Sequence, residues 1–135
     1  MAFTATLHIE GHPKEQDGIR VLYCDYAFNQ KIDKTGVFTS AVQGGIINIG
    51  IKNENDFDLL NWMFSINAKK QGKIVFSSGI TDNQSFQTIK FKDAILINYH
   101  QTFSEEDEIR VNLTISCREL DISGVSFVNI WEAAE

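Results

Sequence analysis

Between Ile109 and Arg118 apolar and polar residues alternate without a break. Ile109, Val111, Leu113, Ile115 and Cys117 fall on one side, and Arg110, Asn112, Thr114, Ser116 and Arg118 on the other. Ten residues with a strict period of two form a strand with one buried face, because a helix would scatter these apolar groups around its circumference. A strand of that length needs partners, and the rest of the chain offers them. Phe3, Ala5, Leu7 and Ile9 alternate with Thr4, Thr6, His8 and Glu10. Residues 19–30 set Leu22, Cys24, Tyr26 and Phe28 on one face. Residues 38–52 set Ile47, Ile49 and Ile51 against Ile46, Asn48 and Gly50. Further strands are expected at 73–78, 86–93, 94–103 and 121–131, joined by polar turns at 11–18, 31–37, 81–85 and 104–108. The chain therefore reads as mainly β, an antiparallel β-barrel of about eight strands. A sandwich fits the same pattern, but the Gly44–Gly45 pair suits a barrel corner, and closure removes exposed strand edges.

One segment departs from this rhythm. After the glycines and the alternating isoleucines comes a helix expected over about 56–68. Asn53, Asn55 or Asp56 would cap its start, and Lys69, Lys70 and Gly72 would mark its close. At 100° per residue, Phe57, Leu60 and Phe64 form one apolar stripe, and Leu59, Met63 and Ile66 form a second, with Trp62 beyond it. A helix lying on a barrel needs one such stripe. Two stripes predict contact on two sides, one with its own barrel and one with a neighbour.

At 135 residues the chain is long enough for one domain with a real core, and a single proline leaves no room for a proline-rich linker. A net charge of −6 argues against binding nucleic acid, which needs clustered Lys and Arg; the densest basic run, Lys69, Lys70 and Lys73, reads as a solvated turn. The N-terminus lacks the apolar run of a signal peptide, and no window is apolar enough to span a membrane, so cytoplasmic synthesis without membrane insertion is expected.

Reactive chemistry is sparse. His8 and His12 are four apart, a metal-binding spacing on a helix only, and they fall on strand and turn, as His100 falls on a strand. Cys24 and Cys117 lie on apolar strand faces, as buried free thiols do. The acidic run 105–108 lacks the glycine and alternating ligands of a calcium loop. No cofactor, metal or catalytic motif is present in the sequence, and no enzyme is expected. What stands out is apolar surface that a monomer does not need: the second helix stripe, Ile46, and Val37–Phe38 at the end of a polar loop. The rival reading is a monomeric small-ligand-binding β-barrel with an apolar cavity. The bulky set Phe28, Phe76, Phe91, Tyr99 and Trp131 speaks for a filled interior instead.

The segments MAFTATLHI, VLYCDYAFNQKIDKTG, QGGIINIGI, DFDLLNWMF, GKIVF and IRVNLTIS, in this order, resemble the Hcp family, the tube protein of type VI secretion systems, and most of all its Bacteroidetes branch. The resemblance covers nearly the whole chain and extends to phage tail tube proteins. It implies a β-barrel with one helix on its side, assembled as a homohexameric ring and stacked into a tube. It also implies sheath, baseplate and spike proteins as partners, effector proteins in the lumen, and export by the apparatus without a signal peptide. The residues expected at the intra-ring contact are Ile46, Ile47, Leu59, Trp62 and Met63. Those expected in the ring-stacking loops are Lys31, Asp33, Lys34, Val37, Phe38, Glu105 and Glu106, with the basic loop of one ring meeting the acidic loop of the next.

Overall fold

The segment with the cleanest alternation becomes the hub of the sheet. In the computed structural model, which describes residues 3–30, 33–36, 44–52, 57–66, 68–78, 85–103, 105 and 109–129, the strands are β1 (Phe3–Ile9), β2 (Ile19–Tyr26), β3 (Ile46–Lys52), β4 (Lys70–Ser78), β5 (Ser85–Thr102), β6 (Arg110–Ile122) and β7 (Val125–Val128). Among the described residues there is a single helix, α1 (Asp58–Phe64), between β3 and β4. β6 pairs with β5 from Thr102↔Arg110 to Ile89↔Ile122. Its other edge is divided: β3 takes residues 110–116 and β7 takes 119–122. The β3–β6 ladder closes the order β1-β2-β3-β6-β5-β4 into a six-stranded antiparallel barrel, and β7 extends the sheet beyond it.

The described residues hold seven strands, against the expected about eight, for a local reason. Residues 86–93 and 94–103 belong to one strand, β5, because Asp93 takes a positive φ (53°) and, between Gly72↔Phe91 and Lys70↔Ala94, Lys92 and Asp93 stand opposite the single residue Gln71 of β4. It is a bulge, which bends a strand without ending it. β6 likewise runs on to Ile122 and turns through Ser123 and Gly124, both with φ > 0, into β7. That two-residue connection is the hairpin turn whose twist matches the strands. β2 has a register shift between Val21 and Tyr23, so Ile19 and Val21 face inward and then Cys24 and Tyr26 do. Leu22, expected on the inner face, falls at the shift. The Gly44–Gly45 pair immediately precedes β3. Gly45 has φ 90° and its carbonyl accepts the Cys117 N–H at 2.7 Å, so it extends the β6 ladder by one bond; residues 38–43 lie outside the described part.

The interior is filled. Leu7, Ile47, Ile49, Ile51, Ile74, Ile89, Val111, Leu113 and Ile115 are almost wholly removed from solvent. One end is plugged by Tyr26, Phe28 and Phe127, whose rings meet edge to face. A ligand-binding barrel would need this space empty.

The helix is shorter than its apolar pattern. It ends at Phe64 because Ser65 is extended (φ −91°, ψ 110°) while its hydroxyl donates to the Asn61 carbonyl at 2.9 Å. A serine hydroxyl competes with the helical backbone in this way. The Trp62 indole N–H then donates to the Ala68 carbonyl at 2.8 Å, which ties the returning chain to the helix just before β4 begins at Lys70. Lys69 and Lys70 therefore do not close the helix. Its N-cap is Phe57, without a side-chain cap; Asn53, Asn55 and Asp56 lie outside the described residues.

Gly72 sits where β1 and β4 come together. A Cβ there would collide with the His8 carbonyl and the Phe91 ring. Gly72→Ala is expected to destabilise the subunit by about 1–3 kcal/mol through overpacking, read as a lower urea midpoint with an unchanged m-value.

Candidate assembly interface

Burial separates the two helix stripes. Leu59 and Trp62 are 3% and 4% exposed and belong to the subunit's own core, with Met63 half-buried against it. Phe57 and Phe64 are 68% and 73% exposed, and with Leu60 they line a shallow cleft on the outside of the helix. The stripe that packs inward is the one containing tryptophan, the largest apolar side chain and the one whose burial stabilises most. Ile66, one residue past the helix cap, stands almost fully in solvent. Of the residues expected at the intra-ring contact, Ile47, Leu59 and Trp62 are thus packed within the subunit, and Ile46 and Met63 retain outer surface. Phe57, Leu60 and Phe64 were legible as a stripe in the sequence. Their outward direction was not, because periodicity gives the angle between two stripes and leaves open which one faces the barrel.

A second exposed surface lies on β3. Ile46 faces outward beside Ser116 of β6. Below it the outer face is a polar ladder. The Asn48 amide donates to the Asp25 carboxylate at 3.0 Å, and the Thr114 hydroxyl donates to the Asn48 side-chain oxygen at 2.9 Å. These bonds tie β2, β3 and β6 across the outside of the closure seam. α1 touches β5 and borders the turn after β1, so the helix patch and Ile46 are on different sides of the barrel.

The stacking loops divide between described and undescribed residues. Asp33 and Lys34 are exposed in a turn in which the Asp33 carboxylate accepts from the Thr35 N–H at 2.8 Å and the Thr35 hydroxyl at 2.7 Å. Glu105 is exposed near the β5–β6 tip; Lys31, Val37, Phe38 and Glu106 lie outside the described residues. The β2–β3 connection leaves β2 beyond Tyr26, level with Ile47, whereas the β5–β6 tip lies beyond Lys52 and Arg110. The two loops therefore extend from opposite ends of β3.

The histidines and thiols have structural partners. His8 Nδ1–H donates to the Glu15 carbonyl at 2.6 Å and Nε2 accepts from the Thr6 hydroxyl at 2.9 Å, which pins the 11–18 turn against β1. His12 Nδ1 accepts the Lys14 N–H at 2.9 Å. No group of three or more potential metal ligands occurs among the described residues. Burial pushes the Cys117 thiol up to about 12. Burial, and then the neighbouring Asp25 carboxylate, push Cys24 up to about 11. Both are protonated at neutral pH and unsuited to nucleophilic chemistry. None of the helices in the described residues is long and apolar enough to cross a membrane.

Two outcomes follow from this packing. Trp62→Ala should remove about 3–5 kcal/mol of subunit stability, as expected for a large buried ring, whereas Phe64→Ser should change it by less than about 1 kcal/mol; urea denaturation of the two variants distinguishes them. The thiols set a pH trend. The unfolded thiols ionise near pH ~8.5 while the folded ones stay protonated, so the unfolded state holds fewer protons and stability falls as pH rises toward 11. Cys117→Ala should flatten that slope in denaturation curves taken between pH 8 and 11.

Comparison with known proteins bears on the family and the fold. A family profile described as Hemolysin coregulated protein Hcp (TssD) matches residues 1–132. A search of curated proteins finds no match. Among solved structures, the fold is similar to Hcp1 from Flavobacterium johnsoniae, with a TM-score of 0.84 and 23% identity over 93% of this chain and 99% of that one. It is similar to Hcp1 from Salmonella typhimurium, with a TM-score of 0.73 and 15% identity over 94% and 92%. It is also similar to a chain of the six-fold symmetrised anti-feeding prophage baseplate, with a TM-score of 0.59 and 9% identity over 91% and 93%. With the profile spanning nearly the whole chain, the protein belongs to the Hcp (TssD) family, a family of structural tube proteins rather than enzymes.

Proposed function

We propose that this chain is an inner-tube subunit that forms hexameric rings, which stack head to tail, are expelled when a surrounding sheath contracts, and carry effector proteins in the lumen. The observation that carries this reading is apolar surface left over after the core is complete. Phe57, Leu60 and Phe64 on the helix and Ile46 on β3 are displayed by a barrel whose interior is already packed. Exposed aromatic clusters of this kind mark association sites.

The two patches lie on different sides of the subunit and differ in shape, so the contact between copies is heterologous: the helix of one subunit meets the β3 side of the next. A heterologous contact closes into a ring when its rotation allows. In this arrangement Ile46 and Met63 touch the neighbour directly. Ile47, Leu59 and Trp62 hold those side chains in place from within. Each subunit pair should bury more than ~1,000 Å² for the ring to persist. Stacking uses the loops at the two ends of β3. Lys31 and Lys34 of one ring approach Glu105 and Glu106 of the next, with Asp33 shaping the turn and Val37 and Phe38 adding apolar contact. Each exposed charge pair is worth only ~0–1 kcal/mol, so stacking depends on the sixfold repetition. The baseplate, spike and sheath are the remaining partners in this reading.

The test separates folding from assembly. Phe64→Asp combined with Ile46→Asp should leave the circular dichroism spectrum and subunit stability near wild type while converting rings to monomers in light scattering. If the double variant keeps its rings, the contact lies elsewhere and this arrangement is wrong.

A further inference from the structure

Beside Ile46, on the outer face of the barrel, β5 has a second irregularity. Leu96 pairs with Ile115 and Asn98 with the next residue, Thr114, so Ile97 is an extra residue passed over in that ladder. Such a bulge gives up a ladder position and re-aims a side chain. Leu96 stays in the core, whereas Ile97 is turned out and left 45% exposed, although isoleucine is among the residues most often buried. Two residues earlier, Ile95 is half-buried and pairs with Ser116 of β6, which pairs in turn with Ile46 of β3. Ile46, Ser116 and Ile95 form one row across three strands, with the smallest side chain in the middle.

The row is a recess with aliphatic walls. Two strand spacings separate Ile46 from Ile95, roughly 10 Å, close to the diameter of a helix with its side chains. No charge stands between the walls, and the neighbouring outward row of Asn48, Thr114 and Asn98 is uncharged as well. Depletion of charge is what distinguishes the core of an interface between chains from ordinary surface. The subunit's own helix touches β5 but leaves both Ile97 and Ile46 exposed, so the recess is not filled from within.

The exposed ridge of α1 has the complementary form. Phe57, Leu60 and Phe64 stand in line over seven residues, about 10 Å along the helix axis. We propose that the recess receives this ridge from a second copy of this chain, with Ser116 as its floor and the Ile97 bulge as one wall. This rests on the ring reading above and names the surface on the β3 side that meets the helix, adding Ile95, Ile97 and Ser116 to Ile46. An amphipathic helix laid into an apolar groove with aromatic anchors is a recurrent way for chains to recognise each other.

Cysteines placed beside the contact rather than in it test the arrangement in the full chain. Asn61 lines the helix cleft and Asn98 follows Ile97, and both are exposed. Asn61→Cys with Asn98→Cys, oxidised as assembled rings, should give a ladder of linked chains on a denaturing gel without reductant. Wild type and each single variant should run as monomers on the same gel, with rings verified by native mass spectrometry in every sample. Rings without a ladder overturn the proposal. So does a bridge within one chain, because helix and recess would then meet in the same subunit. Ser116→Phe fills the floor and should lose rings while keeping the circular dichroism spectrum and urea midpoint near wild type, whereas Ser116→Ala keeps rings. Rings that persist in Ser116→Phe overturn the proposal. Should that variant fail to fold, Ile97→Asp takes its place with the same expectation and the same contrary result. If wild type makes no rings at all, the ring reading itself fails, a result distinct from every one above.

Discussion

Closure of the barrel depends on one ladder. From Ile46↔Ser116 to Lys52↔Arg110, β3 bonds to β6 and turns a seven-stranded sheet into a ring of six with an appended strand. The seam is sealed on both sides. Inward, Ile47, Ile49 and Ile51 pack among Val111, Leu113 and Ile115. Outward, the Asp25–Asn48–Thr114 hydrogen bonds cross it. Without this ladder, β3 and β6 would each expose a long unpaired edge, the kind of surface that invites uncontrolled pairing between chains. With it, both of those edges are paired along the seam.

The division of the free β6 edge between β3 and β7 has a second consequence. The two strands meet end to end near Cys117 and Arg118, where Gly45 accepts from Cys117 and Asn129 donates both to Arg118 and to the Gly44 carbonyl. Below that junction the inner face stays packed through Ile89, Phe91 and Leu120, and the outer face opens into a groove where Lys73, Lys90 and Lys92 stand among Glu10, Glu119 and Asp121. Above it, the barrel presents the helix and Ile46.

Much of this was readable from residue order alone. Alternation identifies β1, β3, β6 and the mainly β class, because a period of two admits one backbone geometry. The strand count was less accessible. Asp93 and the Ser123–Gly124 turn act through positive φ, and whether an Asp bends a strand or ends it depends on partners far away in sequence. The end of the helix was hidden for a similar reason: the Ser65 hydroxyl and the bond from the Trp62 indole to Ala68 stop it, while the apolar pattern simply continues to Ile66. For the assembly surface, the sequence showed two helix stripes, and only packing reveals that Leu59 and Trp62 turn inward and leave Phe57 and Phe64 outside. The lysine groove was invisible to any local pattern, since Lys73, Lys90 and Asp121 become neighbours only through register.

The central claim is that the completed barrel is not the functional unit and that its leftover apolar surface is covered by copies of itself. Native mass spectrometry of the purified wild-type chain tests this most directly. A predominant species of six chains of 15.3 kDa, about 92 kDa, is the predicted result. A 15.3 kDa monomer that persists as the protein is concentrated would contradict it.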